Sequence, residues 1–173
     1  MLNYLRSAAL VMLVLCLPSC ATNPPPTPVA SVADSATKVE QSANVILHAA
    51  QTANATVVPS TGKPVISRDA LDQVAIQVNK LGRLGTTLKS ALDSYNAAKK
   101  AGADLTQQRL AVQQIVGEIA SGINVVSGAV PPGTVSAIDN AVAAILSVLV
   151  DVRTQAGLPA SQPLDALAAA YGL

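Results

Sequence analysis

Few side chains in this sequence offer themselves to chemistry, and their spacing narrows the choice further. The single histidine, His48, lies among Leu47, Ala49 and Ala50 in a stretch of helical period. An imidazole on a helix becomes a metal ligand or a base when acidic partners sit at i, i+3 or i+4, and no Asp or Glu occupies those positions around His48. Asp69 and Asp72 do have the i, i+3 spacing of paired carboxylates, but they open a helical pattern, where capping and the helix dipole account for both. Serines are numerous, yet the expectation is that neither a G-x-S-x-G elbow nor a Ser-Lys motif accompanies them, so Ser-His-Asp catalysis has no support. Gly82-Arg83-Leu84-Gly85 has the spacing of neither a P-loop nor G-x-G-x-x-G and cannot cradle a phosphate in either manner; within a helix it reads as a close contact, a kink or a hinge. Asn54-Ala55-Thr56 meets a glycosylation-acceptor pattern and nothing more. That leaves the thiols of Cys16 and Cys20, whose chemistry is alkylation, oxidation or metal binding. The expectation is a protein without catalytic, metal-ligating or cofactor-binding residues, and not an enzyme.

Both cysteines belong to a distinctive amino-terminal region. Met1 to Arg6 carry positive charge, Ser7 to Leu17 are largely apolar, and small or turn-forming residues follow, which is the three-part pattern of a secretory signal. An apolar stretch of about eleven residues covers roughly 16 Å as a helix, half of the ~30 Å hydrocarbon core, so it is too short for a stable span. The run Leu17-Pro18-Ser19-Cys20 resembles the lipobox of bacterial lipoprotein precursors, with Pro18 standing where that family usually has a small or aliphatic residue. The resemblance covers the leader alone. It implies cleavage before Cys20, alkylation of its thiol by a diacylglyceryl group, and acylation of the freed amine by a fatty acid such as palmitate. Ala21 after the Cys is, by the same resemblance, compatible with the outer membrane rather than the inner, the domain facing the periplasm. The residues also admit an ordinary secretory cut after Ala21, since Ser19 and Ala21 are small, and a Cys16–Cys20 disulfide, which loss of the leader would remove. With Cys20 lipidated, no free thiol remains for a disulfide or a metal.

Positioning falls to the segments that follow. Residues 20–30 hold Pro24, Pro25, Pro26 and Pro28, and such a cluster favours extended polyproline II at about 3.1 Å per residue, giving a tether of some 20 to 30 Å. Beyond it, prolines at 59, 64, 131, 132, 159 and 163 punctuate the chain and leave proline-free segments between them. Helices are expected near 30–56, 67–101, 105–129, 135–156 and 163–171. The second is the clearest: Ser67 can cap it, Leu71, Val74, Val78, Leu81, Gly85, Leu88, Leu92 and Tyr95 form a seam at alternating steps of three and four, and Lys99, Lys100 and Gly102 close it. The first carries a thin stripe of Val32, Ala36, Val39, Ala43, Ile46, Ala50 and Ala53. In the third, Asp104 or Thr106 can cap a seam of Val112, Ile115, Ile119, Gly122, Val126 and Ala129. In the fourth, Thr134 or Ser136 can cap Val135, Ile138, Val142, Ile145, Leu149 and Val152 before Gly157 ends the helix. The fold class expected is all-α: an antiparallel, up-down four-helix bundle over residues 31–173 with a short carboxy-terminal helix. Its core must be aliphatic, because the chain has no Phe or Trp.

Charge excludes one class of partner. The chain has 11 Lys or Arg against 10 Asp or Glu, and nucleic-acid binding calls for a basic stripe with stacking aromatics that are absent. Between Ala111 and Val150 the ionisable side chains are Glu118 and Asp139 alone, and Ile123, Val130, Leu146 and Val150 fall outside the seams. Three readings of that apolar hairpin follow: a buried hairpin of the bundle, a docking face for a protein partner or a second copy, or a segment that enters a bilayer. The leading functional expectation is a lipid-anchored cell-envelope protein with a structural or interaction role. The alternative is a phage- or plasmid-encoded lysis or exclusion factor that inserts hairpin 111–152.

Overall fold

The computed structural model describes residues 32–173. The leader 1–19, the tether 20–30 and Cys20 lie outside the described residues. Five helices run in chain order: α1 (Val32–Ala55), α2 (Arg68–Lys100), α3 (Thr106–Ala129), α4 (Ser136–Ala156) and α5 (Gln162–Ala170). Between α1 and α2 lies a small hairpin of β1 (Val57–Val58) and β2 (Lys63–Pro64). The protein is all-α in class, and each helix falls within two residues of its expected bounds.

Local chemistry sets most of the ends. Ser67 Oγ accepts the Ala70 N–H at 3.1 Å and so satisfies one of the orphan donors at the start of α2. Lys99 and Lys100 stand in its last turn, and Gly102 follows with φ of 66°. Gly157 ends α4 in the left-handed region (φ 61°), where its N–H reaches the carbonyls of Arg153 and Thr154. Ahead of α3, Asp104 Oδ1 accepts the Thr106 hydroxyl at 2.7 Å and the Thr106 N–H at 3.0 Å. The hydroxyl bond, then the backbone bond, holds the Asp104 carboxyl below its ordinary range. At α4 the expectation needs correcting. Neither Thr134 nor Ser136 caps it, because the N-cap position falls on Val135; instead Asp139 reaches back to accept the Gly133 N–H at 3.0 Å.

The seams are where the core is. Ala36, Val39, Ala43, Ile46, Ala50 and Ala53 of α1 are buried, as are all eight seam residues of α2, with Leu84 beside them. Among the described residues no polar or charged side chain is buried, and Tyr95 is the aromatic member of an otherwise aliphatic core. Packing is most extensive between α1 and α2 and between α2 and α3, then between α1 and α4. Small residues permit that closeness: a Cβ on Gly85 would stand 3.1 Å from Glu40 Cγ and 3.4 Å from the Ala36 carbonyl oxygen, and one on Gly122 would stand 3.2 Å from Leu81 Cδ2. Gly82, Gly117 and Gly128 have open space at the Cβ position. These two sets should respond oppositely. Gly82→Ala is expected to stabilise by about 0.5–1 kcal/mol, through helix propensity and a less flexible unfolded chain. Gly122→Ala is expected to destabilise, because Leu81 is 0% exposed and has nowhere to move. Urea unfolding midpoints at constant m-value check both signs.

The third and fourth helices depart from a simple seam. Val116, Ala120 and Ile123 of α3, Val130 just past its end, and Ala141, Leu146 and Val148 of α4 are buried in addition to the expected positions, so each helix buries a broad face. The two helices touch one another sparingly, and α5 packs against both. Leu164, Leu167 and Ala168 of α5 are buried, and Leu164 and Leu167 belong to the same core as the buried residues of α1 to α4. Ile123, Val130 and Leu146, which fall outside the expected seams, are buried in this core, and α5 packs on both α3 and α4.

The hairpin was not anticipated from sequence, though Pro59-Ser60-Thr61-Gly62 is turn chemistry and Gly62 takes φ of 66°. An isolated two-stranded ribbon is marginal, and this one is fastened to α1. The Val65 N–H bonds the carbonyls of Thr56 at 2.9 Å and Ala53 at 3.2 Å, and Asn54 Nδ2 donates to the Ile66 carbonyl at 3.0 Å. Ile66, 5% exposed, is drawn into the core at the entrance to α2.

Candidate functional site

The residues with chemical potential are dispersed. His48 is exposed on α1, and its carbonyl accepts the Thr52 hydroxyl at 3.0 Å. Asp69 occupies the first turn of α2, while Asp72 pairs with Arg68 at 3.3 Å with both side chains more than half exposed. Asn54 is half-buried, its amide holding the segment that leads into α2, which gives the Asn-Ala-Thr tripeptide a structural use. Gly82 to Gly85 lie inside an uninterrupted helix, with Leu84 and Gly85 buried against the bundle. Among the described residues no group of three or more His, Cys, Asp and Glu is placed to hold a metal.

The expectation of no Ser-Lys motif needs correcting, because S-x-x-K occurs twice: Ser60-Thr61-Gly62-Lys63 spans the hairpin turn, and Ser35-Ala36-Thr37-Lys38 places a serine and a lysine one helical turn apart on α1. Ser35 lines a cleft with Leu92, Tyr95, Asn96, Lys99 and Gln155, but the cleft is about 20 Å³, room for about one water and not for a substrate. Lys38 is exposed, and Lys99 sits 5.9 Å from the centre of the Tyr95 ring, a cation–π contact at a helix end. The pair lacks both a pocket and an oriented base.

Of the larger furrows, one of about 360 Å³ lies between α1 and α2, lined by Glu40, Asn44, Asn79 and Arg83 among others, and two flank α5. One, of about 610 Å³, runs between α3 and α5 and is lined by Gly117, Ala120, Ser121, Asn124, Ala166 and Leu167, none of which titrates. The other, of about 360 Å³, lies between α4 and α5, where Arg153 pairs with Asp165 beside Ser147, Val150 and Asp151. Tyr171, just past α5, shares a 2.8 Å hydrogen bond with Ser127 of α3. Burial pushes its phenol above the ordinary range, and the Ser127 bond partly opposes that shift. Both furrows beside α5 are open to solvent, and the one against α4 carries the charged side chains Asp151, Arg153 and Asp165. Among the described residues no helix is long and apolar enough to cross a membrane. Compared with protein-family models, with curated proteins and with solved structures, the chain has no match.

Proposed function

We propose that this chain is a lipid-anchored protein of the bacterial cell envelope with a structural or interaction role. It presents an antiparallel, up-down four-helix bundle, buttressed by α5, from the outer membrane toward the periplasm. The observation that carries this reading is Cys20 in Leu17-Pro18-Ser19-Cys20, behind a leader-like apolar stretch and ahead of a proline-rich run that ends where α1 begins. The anchoring is physical. Each buried CH₂ of an acyl chain contributes about 0.8 kcal/mol, and a single chain holds only marginally, so a diacylated thiol is what makes residence in a leaflet stable. The helical domain then acts by contact with a protein partner or a second copy through exposed parts of α3 and α4.

The test is mass spectrometry of the mature amino terminus together with membrane fractionation. The unaltered chain should begin at Cys20, carry a diacylglyceryl thioether and sediment with membranes. Cys20→Ala should abolish the modification and move the protein from the membrane to the soluble or unprocessed fraction. An unmodified mature chain beginning at Thr22 overturns the anchor, and in-cell cross-linking of the anchored form that yields no neighbour at all overturns the contact role.

A further inference from the structure

We propose that two copies of this chain pair along the outward furrow between α1 and α2, as a parallel two-fold dimer in which Glu40 meets the partner's Arg83, Asn44 the partner's Asn79 and Leu47 the partner's Ile76. A second copy is thereby a partner for the contact role proposed above, on which the biological use of the dimer rests; the pairing itself needs no lipid anchor and leaves the exposed parts of α3 and α4 free. Helices α1 and α2 run antiparallel. Asn54, at the end of α1, holds the Ile66 carbonyl at the entrance to α2, while Ala36 and Glu40, near the start of α1, reach Gly85 far along α2. Position numbers therefore rise along α1 as they fall along α2. Glu40, Asn44 and Leu47 follow steps of four and three on one flank of the furrow, facing Arg83 and Asn79 on the other. Ile76 continues the α2 stripe by a step of three, so the two stripes mirror one another at matching heights.

These side chains have bonding capacity to spare. Arg83 is exposed and has no acidic partner among the described residues. Glu40 Oε1 accepts the Thr86 hydroxyl at 2.9 Å, which leaves its second oxygen for a guanidinium. Asn44 and Asn79 are exposed, and an amide carries both donor and acceptor, so two amides can pair. Ile76 is 66% exposed, more than any other large hydrophobic side chain among the described residues, and Leu47 is half-buried. Gly82, on the furrow floor, has open space at its Cβ position, so a neighbour can come close. Each flank holds the complement of the other and not of itself, and that selects the symmetry. A two-fold axis along the helices lays α1 on the partner's α2 at equal height and forms every rung twice. A two-fold axis across the helices lays α1 on α1 and α2 on α2, setting like charge toward like. The axis along the helices also keeps both starts of α1 at one end, the arrangement open to two chains held in one leaflet.

The experiment is sedimentation velocity of the full chain in mild detergent, beside Glu40→Arg, Arg83→Glu and the double variant Glu40→Arg/Arg83→Glu. The unaltered chain should reach a concentration-dependent dimer. Each single reversal sets like charges against one another in both copies of the rung and should raise the dissociation constant by at least about tenfold. The double variant exchanges the two charges and should return to within about threefold of the unaltered chain, since every rung is again complementary. Ile76→Ser, a change at an exposed position, should weaken the dimer by about tenfold with helical circular dichroism unchanged. Orientation is read in cells by co-expressing differently tagged Asn44→Cys and Asn79→Cys chains, whose disulfide should join the two tags in preference to either tag with itself. A chain that stays monomeric throughout and forms no such disulfide overturns the dimer. A dimer indifferent to the reversals, or a double variant no better than the singles, overturns this face, and preferential joining of like tags overturns the parallel two-fold. Repeating the sedimentation series on Cys20→Ala separates the two proposals, because the dimer should survive there whether or not the anchor exists.

Discussion

Leu149→Ala is expected to destabilise the helical domain by about 3–4 kcal/mol, a large part of the 5–15 kcal/mol that holds a typical domain together. Leu149 is fully buried in α4 and belongs to the continuous core. Truncation removes the transfer free energy of its methyl groups and leaves a cavity, and how much the cavity costs depends on whether the walls can close on it. Here they have little room to do so. The helices around the core already approach closely at glycine positions, since a Cβ on Gly85 would stand 3.1 Å from Glu40 Cγ. Urea unfolding followed by helical circular dichroism checks the figure. A loss below about 1 kcal/mol means that Leu149 does not lie in a rigid core.

Ala50→Leu tests the same packing from the opposite side. A burial argument alone predicts a gain, since burying a leucine side chain stabilises by roughly 1.5–3 kcal/mol. The expected result is instead a loss of about 1–3 kcal/mol. Ala50 is 0% exposed on the alanine stripe of α1, where the stripe lets neighbouring helices come close. An added isobutyl group must push a helix outward or take a strained rotamer. Gln51→Leu, on the exposed side of the same turn, provides the control and should change stability by no more than about 0.5 kcal/mol. If Ala50→Leu stabilises, the stripe faces a void rather than a neighbouring helix.

Helix seams were legible because burial against one neighbour leaves a periodic record. The α2 positions from Leu71 to Tyr95 could be assigned to one face from spacing alone, and each is buried. The end signals at Ser67 and Gly157 were readable for a similar reason: their hydrogen bonds close within a few residues. The cap of α4 was less so. Asp139 bonds Gly133 six residues back, and which of several polar residues takes that place depends on the exact residue where the helix starts. Of the candidate sites, Cys20 is proposed on the strength of a local resemblance and lies outside the described residues. His48, Asp69 and Asp72 were assigned to surface or helix-end positions by spacing, and the structure places them there.

By itself, then, the sequence determined the all-α class, the helix limits and the aliphatic nature of the core. All of these rest on side chains within a turn or two of one another. Tertiary structure alone decided what the second apolar faces of α3 and α4 are for, because Ile123 and Leu146 carry no mark that tells a buried partner from a free surface. Part of that packing comes from α5, a short helix held by Arg153–Asp165 and Ser127–Tyr171, whose Leu164 and Leu167 join the common core. The hairpin at 57–64 is a similar case, since a two-residue ladder is stable only where Asn54 and Val65 fasten it to α1 and Ile66 enters the core. Periodicity reports that a face is buried; which element buries it is a property of residues far apart in the chain.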